Sequence, residues 1–328
     1  MRESLDQNNI ESEKRPCYRL MITRHAERLP SGELSLEGIK RAKNKGEAMK
    51  DAEVLKAYAS DHPSGRAYDT AENIGEQSNA ISPQTGERYK TRKVKDIQYD
   101  VLEPDLSDII PGAKLVIEEA VLNEIAKKDS NFWKLINEVA TVNSVEIISK
   151  TNSKGEPMID IEKLPEDIQK SIAPIRQKYQ RLGFQKLLEK PEVVHRMSIG
   201  LAHQLVEKKN VLKEYSRKRE KANKPIKGDI IPNINTHGVF TESLLKEAGI
   251  FVKPNGEEIH GINDFENEEF GGYIQPLESI YLEISDLANI PERIPITFEK
   301  GRKVKGKVFI DRQKLEDLNS DYKENRAK

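Results

Sequence analysis

Short apolar runs alternate with amphipathic segments along most of this chain. The runs at 18–23, 55–60 and 229–236 predict buried strands, because each is short, mainly apolar and followed by a helical pattern. The helices that follow are predicted at about 36–50, 66–77 and 239–248. Strands that alternate with helices are typical of an α/β fold with a mainly parallel central sheet flanked by helices. Ligands of such folds bind at the carboxyl ends of the strands.

The remaining segments predict the domain organisation. A further strand is expected at 93–102, and strands at 280–284, 294–298 and 307–310 precede a short terminal helix. Residues 104–226 predict a largely helical insertion over the carboxyl ends of the strands, with helices at 113–128 and 192–221 and a hairpin turn at 152–155. We therefore expect a disordered tail at 1–16, an α/β core formed by 17–103 and 227–328, and an insertion or lid at 104–226 within the same domain.

Composition narrows the class of protein. Charged residues make up 33% of the 328 positions, yet the net charge is only −1, which argues against a dedicated nucleic-acid or membrane-surface binder. The lone Cys17 excludes an intramolecular disulfide framework and a cysteine-only metal site. Because the polar start lacks an apolar signal region and no apolar run approaches the roughly 20 residues of a membrane span, we expect a cytoplasmic protein.

The segment Arg24-His25-Ala26-Glu27-Arg28 directly follows the first predicted strand. Arginine is permanently cationic, and a nearby positive charge lowers the pKa of a histidine. The imidazole between these two arginines should therefore stay neutral and nucleophilic. Guanidinium groups match the oxygens of a phosphate. This arrangement predicts that His25 attacks a phosphoryl group.

Two later segments predict groups that join this site. Arg66 begins the second predicted helix, where it can direct a third guanidinium at the same anion. His237 ends the strand at 229–236, and Gly238 allows a close approach of the backbone to a ligand. The pair His260-Gly261 is a competitor, but it follows a polar turn, so we favour His237.

Together these motifs resemble those of the histidine phosphatase (phosphoglycerate mutase-like) superfamily. The resemblance covers roughly residues 18–80 and 226–250, and includes a Leu34-Ser35-Leu36-Glu37-Gly38 helix start. It implies a phosphoglycerate mutase-like fold and assigns His25 as the nucleophile that becomes phosphorylated. The residues that it implies for gripping the phosphoryl group are Arg24, Arg28, Arg66 and His237.

A proton donor for the leaving group is also required. The acid phosphatase branch of this superfamily places an Asp directly after the second histidine, where this chain has Gly238. The mutase-like branch uses a Glu after the second arginine motif, for which Glu103 is the best candidate and Asp105 the reserve. Pro104 disfavours helical geometry at Glu103. Two acids in a solvated turn remain the alternative interpretation.

The first motif combines features of both branches. Arg28-Leu29-Pro30 resembles the acid phosphatase pattern, whereas His237-Gly238 resembles the other branch. The Arg-His-Gly-x-Ser-x-Trp-Asn pattern of the cofactor-type mutases is absent from the sequence. His195 and His203 are expected to serve packing, and the segment 271–273 to form a loop near the pocket.

We therefore predict a metal-independent phosphomonoester hydrolase that works through a phosphohistidine on His25. It should need no cofactor and should take a small phosphorylated substrate, with no nucleic-acid or membrane partner. A phosphotransferase or mutase of the same superfamily and a non-catalytic phospholigand-binding protein stay open as alternatives, as does a homo-oligomeric state.

Overall fold

The fold is built on a nine-stranded sheet in the residues that the structure describes. The computed structural model describes residues 18–27, 33–50, 52, 54–59, 66–78, 92–93, 148–151, 157–159, 185, 187–224, 226, 228–299 and 302–327. The sheet contains β1 (Tyr18–Arg24), β2 (Val54–Ala59), β3 (Arg92–Lys93), β6 (Ile230–Thr236), β7 (Gly249–Val252), β8 (Glu258–His260), β9 (Ser279–Ile284), β10 (Arg293–Phe298) and β11 (Lys307–Asp311). Its strand order is β3-β2-β6-β1-β9-β10-β11-β7-β8. A separate antiparallel hairpin, β4 (Ile148–Thr151) and β5 (Pro157–Ile159), confirms the hairpin predicted around 152–155.

The helices agree closely with the predicted pattern. They are α1 (Leu36–Ala48), α2 (Arg66–Gln77), α3 (Pro191–Lys221), α4 (Gly238–Ala248) and α5 (Arg312–Ala327). The terminal helix α5 was expected to be short, but it has 16 residues. The predicted helix at 113–128 and most of the predicted strand at 93–102 lie outside the described residues.

The sheet is mixed, so the prediction of a mainly parallel sheet was wrong. The strands β3, β2, β6 and β1 are joined by three parallel pairings, whereas the other five pairings are antiparallel. The physical reason lies in the connections. Only short segments link β9 to β10 and β10 to β11, and a parallel neighbour would need a crossover of a dozen or more residues.

Alternating side chains of β1 divide the core between the two faces of the sheet. Leu20 and Ile22 pack in the cluster that also contains the buried residues of α3, α4 and α5. Met21 points to the other face, where it packs with Ala42 of α1 and Ile74 of α2. The five helices of the described residues therefore form two layers, with α1 and α2 on one face and α3 to α5 on the other.

Helix α3 lies within the range predicted as an insertion, 104–226. Its residues Val193, Leu201 and Leu205 are buried in the same cluster as β1 and β6. This helix therefore contributes to the central core. The limits of the insertion itself, and the tail at 1–16, fall largely outside the described residues and stay predictions.

Two glycines allow close packing near the ends of helices. A Cβ at Gly38 would lie 2.5 Å from the carbonyl oxygen of Glu27, so α1 packs directly against the loop that follows β1. Gly249 ends α4 as predicted, but its backbone is extended (φ −75°, ψ 144°) and begins β7. A Cβ there would lie 2.3 Å from the carbonyl oxygen of Leu245. The glycine at 249 is therefore required by close contact rather than by a left-handed cap.

Among the described helices, none combines the length and apolar character needed to cross a bilayer.

A buried polar network links the three central strands below their carboxyl ends. Thr23 donates a hydrogen bond from its Oγ1 to Oδ1 of Asn233 on β6, at 2.7 Å. The same hydroxyl lies 2.8 Å from Oγ of Ser279 on β9. All three side chains are fully buried. Such groups are costly to leave without partners.

We predict that Thr23→Val destabilises the fold by about 1–3 kcal/mol, because the isosteric side chain leaves Asn233 without its donor. Chemical denaturation measures the change in the free energy of unfolding. The matched control is Thr297→Val on β10, which is exposed and should change stability by no more than about 0.5 kcal/mol. Equal stabilities of the two variants would contradict the role assigned to this network.

Candidate active site

The carboxyl ends of β1 and β6 meet at the centre of the sheet. Arg24 pairs in register with Thr236, and the backbone N–H of His25 donates to the Thr236 carbonyl at 2.8 Å. Each strand is followed at once by a histidine. The rings of His25 and His237 therefore lie 4.8 Å apart between centroids, with an interplanar angle of 64°.

The hydrogen bonds of His25 determine which of its ring nitrogens is available for chemistry. Nδ1 lies 2.7 Å from the carbonyl oxygen of Ala26. A carbonyl oxygen only accepts, so Nδ1 carries the proton, and in the neutral ring the lone pair is on Nε2. Nη1 of Arg66 donates toward that lone pair at 3.3 Å. The ring is 7% exposed. His25 thus presents a neutral, oriented nucleophilic nitrogen to a cationic neighbour.

The electrostatics of the site keep His25 neutral. Burial lowers the pKa of the imidazole well below its ordinary value of 6.5, because removal from water disfavours the charged ring. The positive charges of His237, Arg66 and Arg24 lower this pKa further, while the hydrogen bond to Ala26 opposes the shift. The sequence-based expectation of a neutral imidazole is therefore supported, with burial as its largest cause.

Helix α2 contacts His25 and Ala26 with two side chains. Its buried residues Ala67, Thr70, Ala71 and Ile74 follow the spacing of a helix that packs along one stripe. Thr70 accepts a hydrogen bond from the backbone N–H of Ala26 at 2.9 Å and donates to the Arg66 carbonyl at 2.7 Å. Ala26 is therefore held at its N–H by Thr70 and at its carbonyl by the His25 ring. The same helix places Arg66 against Nε2 of His25.

Arg24 lies across the first turn of α4. A Cβ at Gly238 would lie 3.0 Å from both Cδ and Nε of Arg24, so a larger residue here would press on this side chain. Nη1 of Arg24 donates to the carbonyl oxygen of Ile274. Gly238 was expected to allow a close approach of the backbone to a ligand. The structure shows that it accommodates the guanidinium arm of Arg24.

Four of the predicted site residues come together in the structure: Arg24, His25, Arg66 and His237. Arg28, Glu103 and Asp105 lie outside the described residues, and their roles stay predictions. His237 also begins α4, whose amino end faces the same region and adds the favourable field of a helix N-terminus for an anion.

The three other histidines among the described residues lie elsewhere. His260 belongs to β8, a short strand that follows the polar turn and lies at the far edge of the sheet from β6. His195 contacts Glu247 of α4 through Nδ1 at 3.2 Å. His203 stacks on Tyr322 with ring centroids 4.1 Å apart. The expectation that His195 and His203 serve packing agrees with these contacts.

The sequence did not reveal the residues that hold Arg24 and Ala26 in place through hydrogen bonds. Ile274, Glu242 and Thr70 were not singled out. A sequence signal was present for Glu242, because it is an acid between the apolar residues at 239–240 and 244–245 of the predicted helix. Ile274 acts through its backbone, which leaves no sequence signal.

In the part of the chain that the structure describes, no group of three or more His, Cys, Asp or Glu side chains is arranged to hold a metal ion. The expectation of a metal-independent reaction stays a prediction.

Comparisons with known proteins find structural likeness without sequence likeness. No family profile and no curated protein matches the chain. The native structure of a mycobacterial glucosyl-3-phosphoglycerate phosphatase matches at 13% identity, over 86% of this chain and 97% of that one, with a TM-score of 0.29. The apo form of Hafnia alvei phytase matches at 10% identity, over 93% and 96% of the two chains, with a TM-score of 0.42. At such values these likenesses carry no argument about function, which must rest on the geometry of the site.

The depressed pKa of His25 predicts a specific loss of stability in acid. Below the ordinary pKa of 6.5 the unfolded chain binds a proton at this position and the folded chain does not, so the free energy of unfolding falls as the pH drops. The contribution is at most about 1.4 kcal/mol per pH unit. Denaturation of the wild type and His25→Gln between about pH 7.5 and 5.5 measures it. The wild type should show the steeper loss, and identical slopes would contradict the assignment.

Proposed function

We propose that this protein is a phosphomonoester hydrolase that works through a covalent phosphohistidine on His25. The observation that carries the proposal is the state of that imidazole. Its proton is held on Nδ1 by the Ala26 carbonyl, its Nε2 lone pair meets Arg66, and the ring of His237 lies beside it. A neutral imidazole among cationic groups suits attack on an anionic phosphorus centre.

In the first step, Nε2 of His25 attacks phosphorus and the bond between phosphorus and the ester oxygen breaks. The leaving oxygen takes a proton from a carboxylic acid, for which the resemblance to the superfamily suggests Glu103, with Asp105 in reserve. The ring becomes positively charged because Nδ1 keeps its proton. The Ala26 carbonyl that accepts this hydrogen bond stabilises the new charge.

In the second step, water attacks the phosphorus and gives its proton to the same carboxylate. The bond between phosphorus and nitrogen breaks, and Nε2 recovers its lone pair. Orthophosphate is then released. The overall reaction consumes one water and one phosphomonoester, and the acid is regenerated.

The cationic groups stabilise the charge on the phosphoryl oxygens in both steps. Nη1 of Arg66 lies 3.3 Å from Nε2, so when a substrate binds it can move its hydrogen bond from the Nε2 lone pair to a phosphoryl oxygen, which frees the lone pair for attack. Arg24 and His237 lie on the side where β1 and β6 end. Such preorganised donors provide the kind of stabilisation that a metal ion gives in other phosphatases.

We predict that His25→Asn lowers kcat by about a thousandfold or more on a panel of phosphomonoesters assayed with a chelator, because the covalent route is lost. Brief incubation of the wild type with a radiolabelled substrate should trap a phosphoprotein that is stable in alkali and labile in acid. The control is His260→Asn at the sheet edge, which should keep full activity. Undiminished turnover by His25→Asn, or loss of wild-type activity with the chelator, would contradict the mechanism.

We predict that Glu103→Gln affects substrates according to their leaving groups. Hydrolysis of an alkyl phosphate, whose leaving oxygen needs a proton, should fall by about a hundredfold or more. Hydrolysis of p-nitrophenyl phosphate should change much less, since its leaving group departs as the anion. Asp105→Asn is the matched comparison. If that variant shows the leaving-group dependence and Glu103→Gln does not, the donor is Asp105.

A further inference from the structure

A buried acid, Glu242, lies behind the site and takes no part in the chemistry proposed above. It is 3% exposed and follows Gly238 by one helical turn on α4, so the two share a face of that helix. Burial raises the pKa of Glu242, while the positive charges of Arg24 and Arg302 oppose that shift. A carboxyl group in such surroundings costs stability unless its hydrogen bonds are made. The hydrogen bonds of Glu242 therefore indicate its role.

Glu242 is connected to Arg24 through Ile274, which lies in the loop at 261–278 between β8 and β9. The backbone N–H of Ile274 donates to Oε1 of Glu242 at 3.0 Å. The carbonyl of the same residue accepts the hydrogen bond from Nη1 of Arg24. The backbone of Ile274 thus bridges the two side chains, because its N–H binds the carboxyl group of Glu242 and its carbonyl binds the guanidinium of Arg24.

The rest of this loop is anchored on either side of Ile274. Arg302 donates to the carbonyls of Phe270, Gly272 and Tyr273 and pairs with Glu278 at 2.8 Å. The N–H of Leu277 donates to the Arg24 carbonyl at 3.1 Å. The N–H of Ile274 is held by Glu242. Glu242 therefore controls the part of the loop that touches the Arg24 side chain.

We propose that Glu242 is a positioning residue, which holds Ile274 so that its carbonyl fixes the guanidinium of Arg24 over Gly238 and beside the two histidines. The role depends on the oxygen of Glu242 as a hydrogen-bond acceptor. It rests on the proposed function in one respect, that the anion held by Arg24 is a phosphoryl group.

The test compares phosphate binding by three variants at position 242. Glu242→Gln keeps the acceptor oxygen, and should bind orthophosphate within about threefold of the wild type by calorimetry. Glu242→Ala and Glu242→Met remove the acceptor and should weaken binding by about tenfold or more. Glu242→Met retains most of the side-chain volume and answers the question if the alanine variant does not fold. The control is Glu247→Gln on the same helix, which contacts His195 and should bind phosphate normally.

A double-mutant cycle separates positioning from a general structural effect. Arg24→Ala should weaken phosphate binding, and adding Glu242→Ala to it should cause no further loss, because Glu242 acts through Arg24. The inference is overturned if Glu242→Ala binds phosphate like the wild type, or if Glu242→Gln is as impaired as Glu242→Ala. It is also overturned if the loss of affinity in the double variant equals the product of the losses in Arg24→Ala and Glu242→Ala. It also fails if Arg24→Ala binds phosphate normally.

The proposed function and this inference fail in different ways. A wild type that forms phosphohistidine and hydrolyses esters, with a Glu242→Ala variant of normal phosphate affinity, overturns the inference alone. A wild type that binds phosphate and shows the expected cycle but never turns over overturns the proposed function alone.

Discussion

The parallel pairing of β1 with β6 is the constraint on which the site depends. The register places Arg24 opposite Thr236, and the N–H of His25 extends the ladder by donating to the Thr236 carbonyl. Two histidines that are more than 200 positions apart in the chain therefore leave the sheet side by side. A slip of one residue would reverse the faces to which the strand side chains point and would separate the rings.

The chemistry then follows from burial and from fixed hydrogen bonds. A ring withdrawn from water and surrounded by positive groups stays neutral, and the Ala26 carbonyl selects the tautomer with its lone pair on Nε2. Two of the helices that begin at this edge contribute residues to the site. Helix α2 provides Arg66 and Thr70, and helix α4 provides Gly238 and Glu242. Gathering like charges in this way is unfavourable without an anion, which is what makes the site suited to bind one.

Much of this arrangement could be predicted from the sequence because the signals are local. Apolar runs followed by helical patterns located β1, β2 and β6, and the residues at their ends included His25, Arg66 and His237. The helix start identified at 34–38 is also found, and Oγ of Ser35 caps α1 by accepting from the N–H of Gly38.

What could not be predicted depends on contacts between distant segments. The short links between β9, β10 and β11 favour antiparallel pairing, but the pairing of β9 with β1 and of β11 with β7 joins distant segments. Strands β7 and β8 are too short to show a clear alternation. Gly238 packs against the Arg24 side chain, a contact that no local pattern records. Ile274 makes both contacts with its backbone, and any residue except proline could make them. The residue type at this position therefore gives no signal.

The most direct test of the central claim is a crystal structure of the protein with vanadate. The account predicts vanadium bonded to Nε2 of His25, with its oxygens contacting Arg24, Arg66 and His237. Vanadate bound at another surface, or side chains of 25, 66 and 237 that open toward different regions, would contradict it.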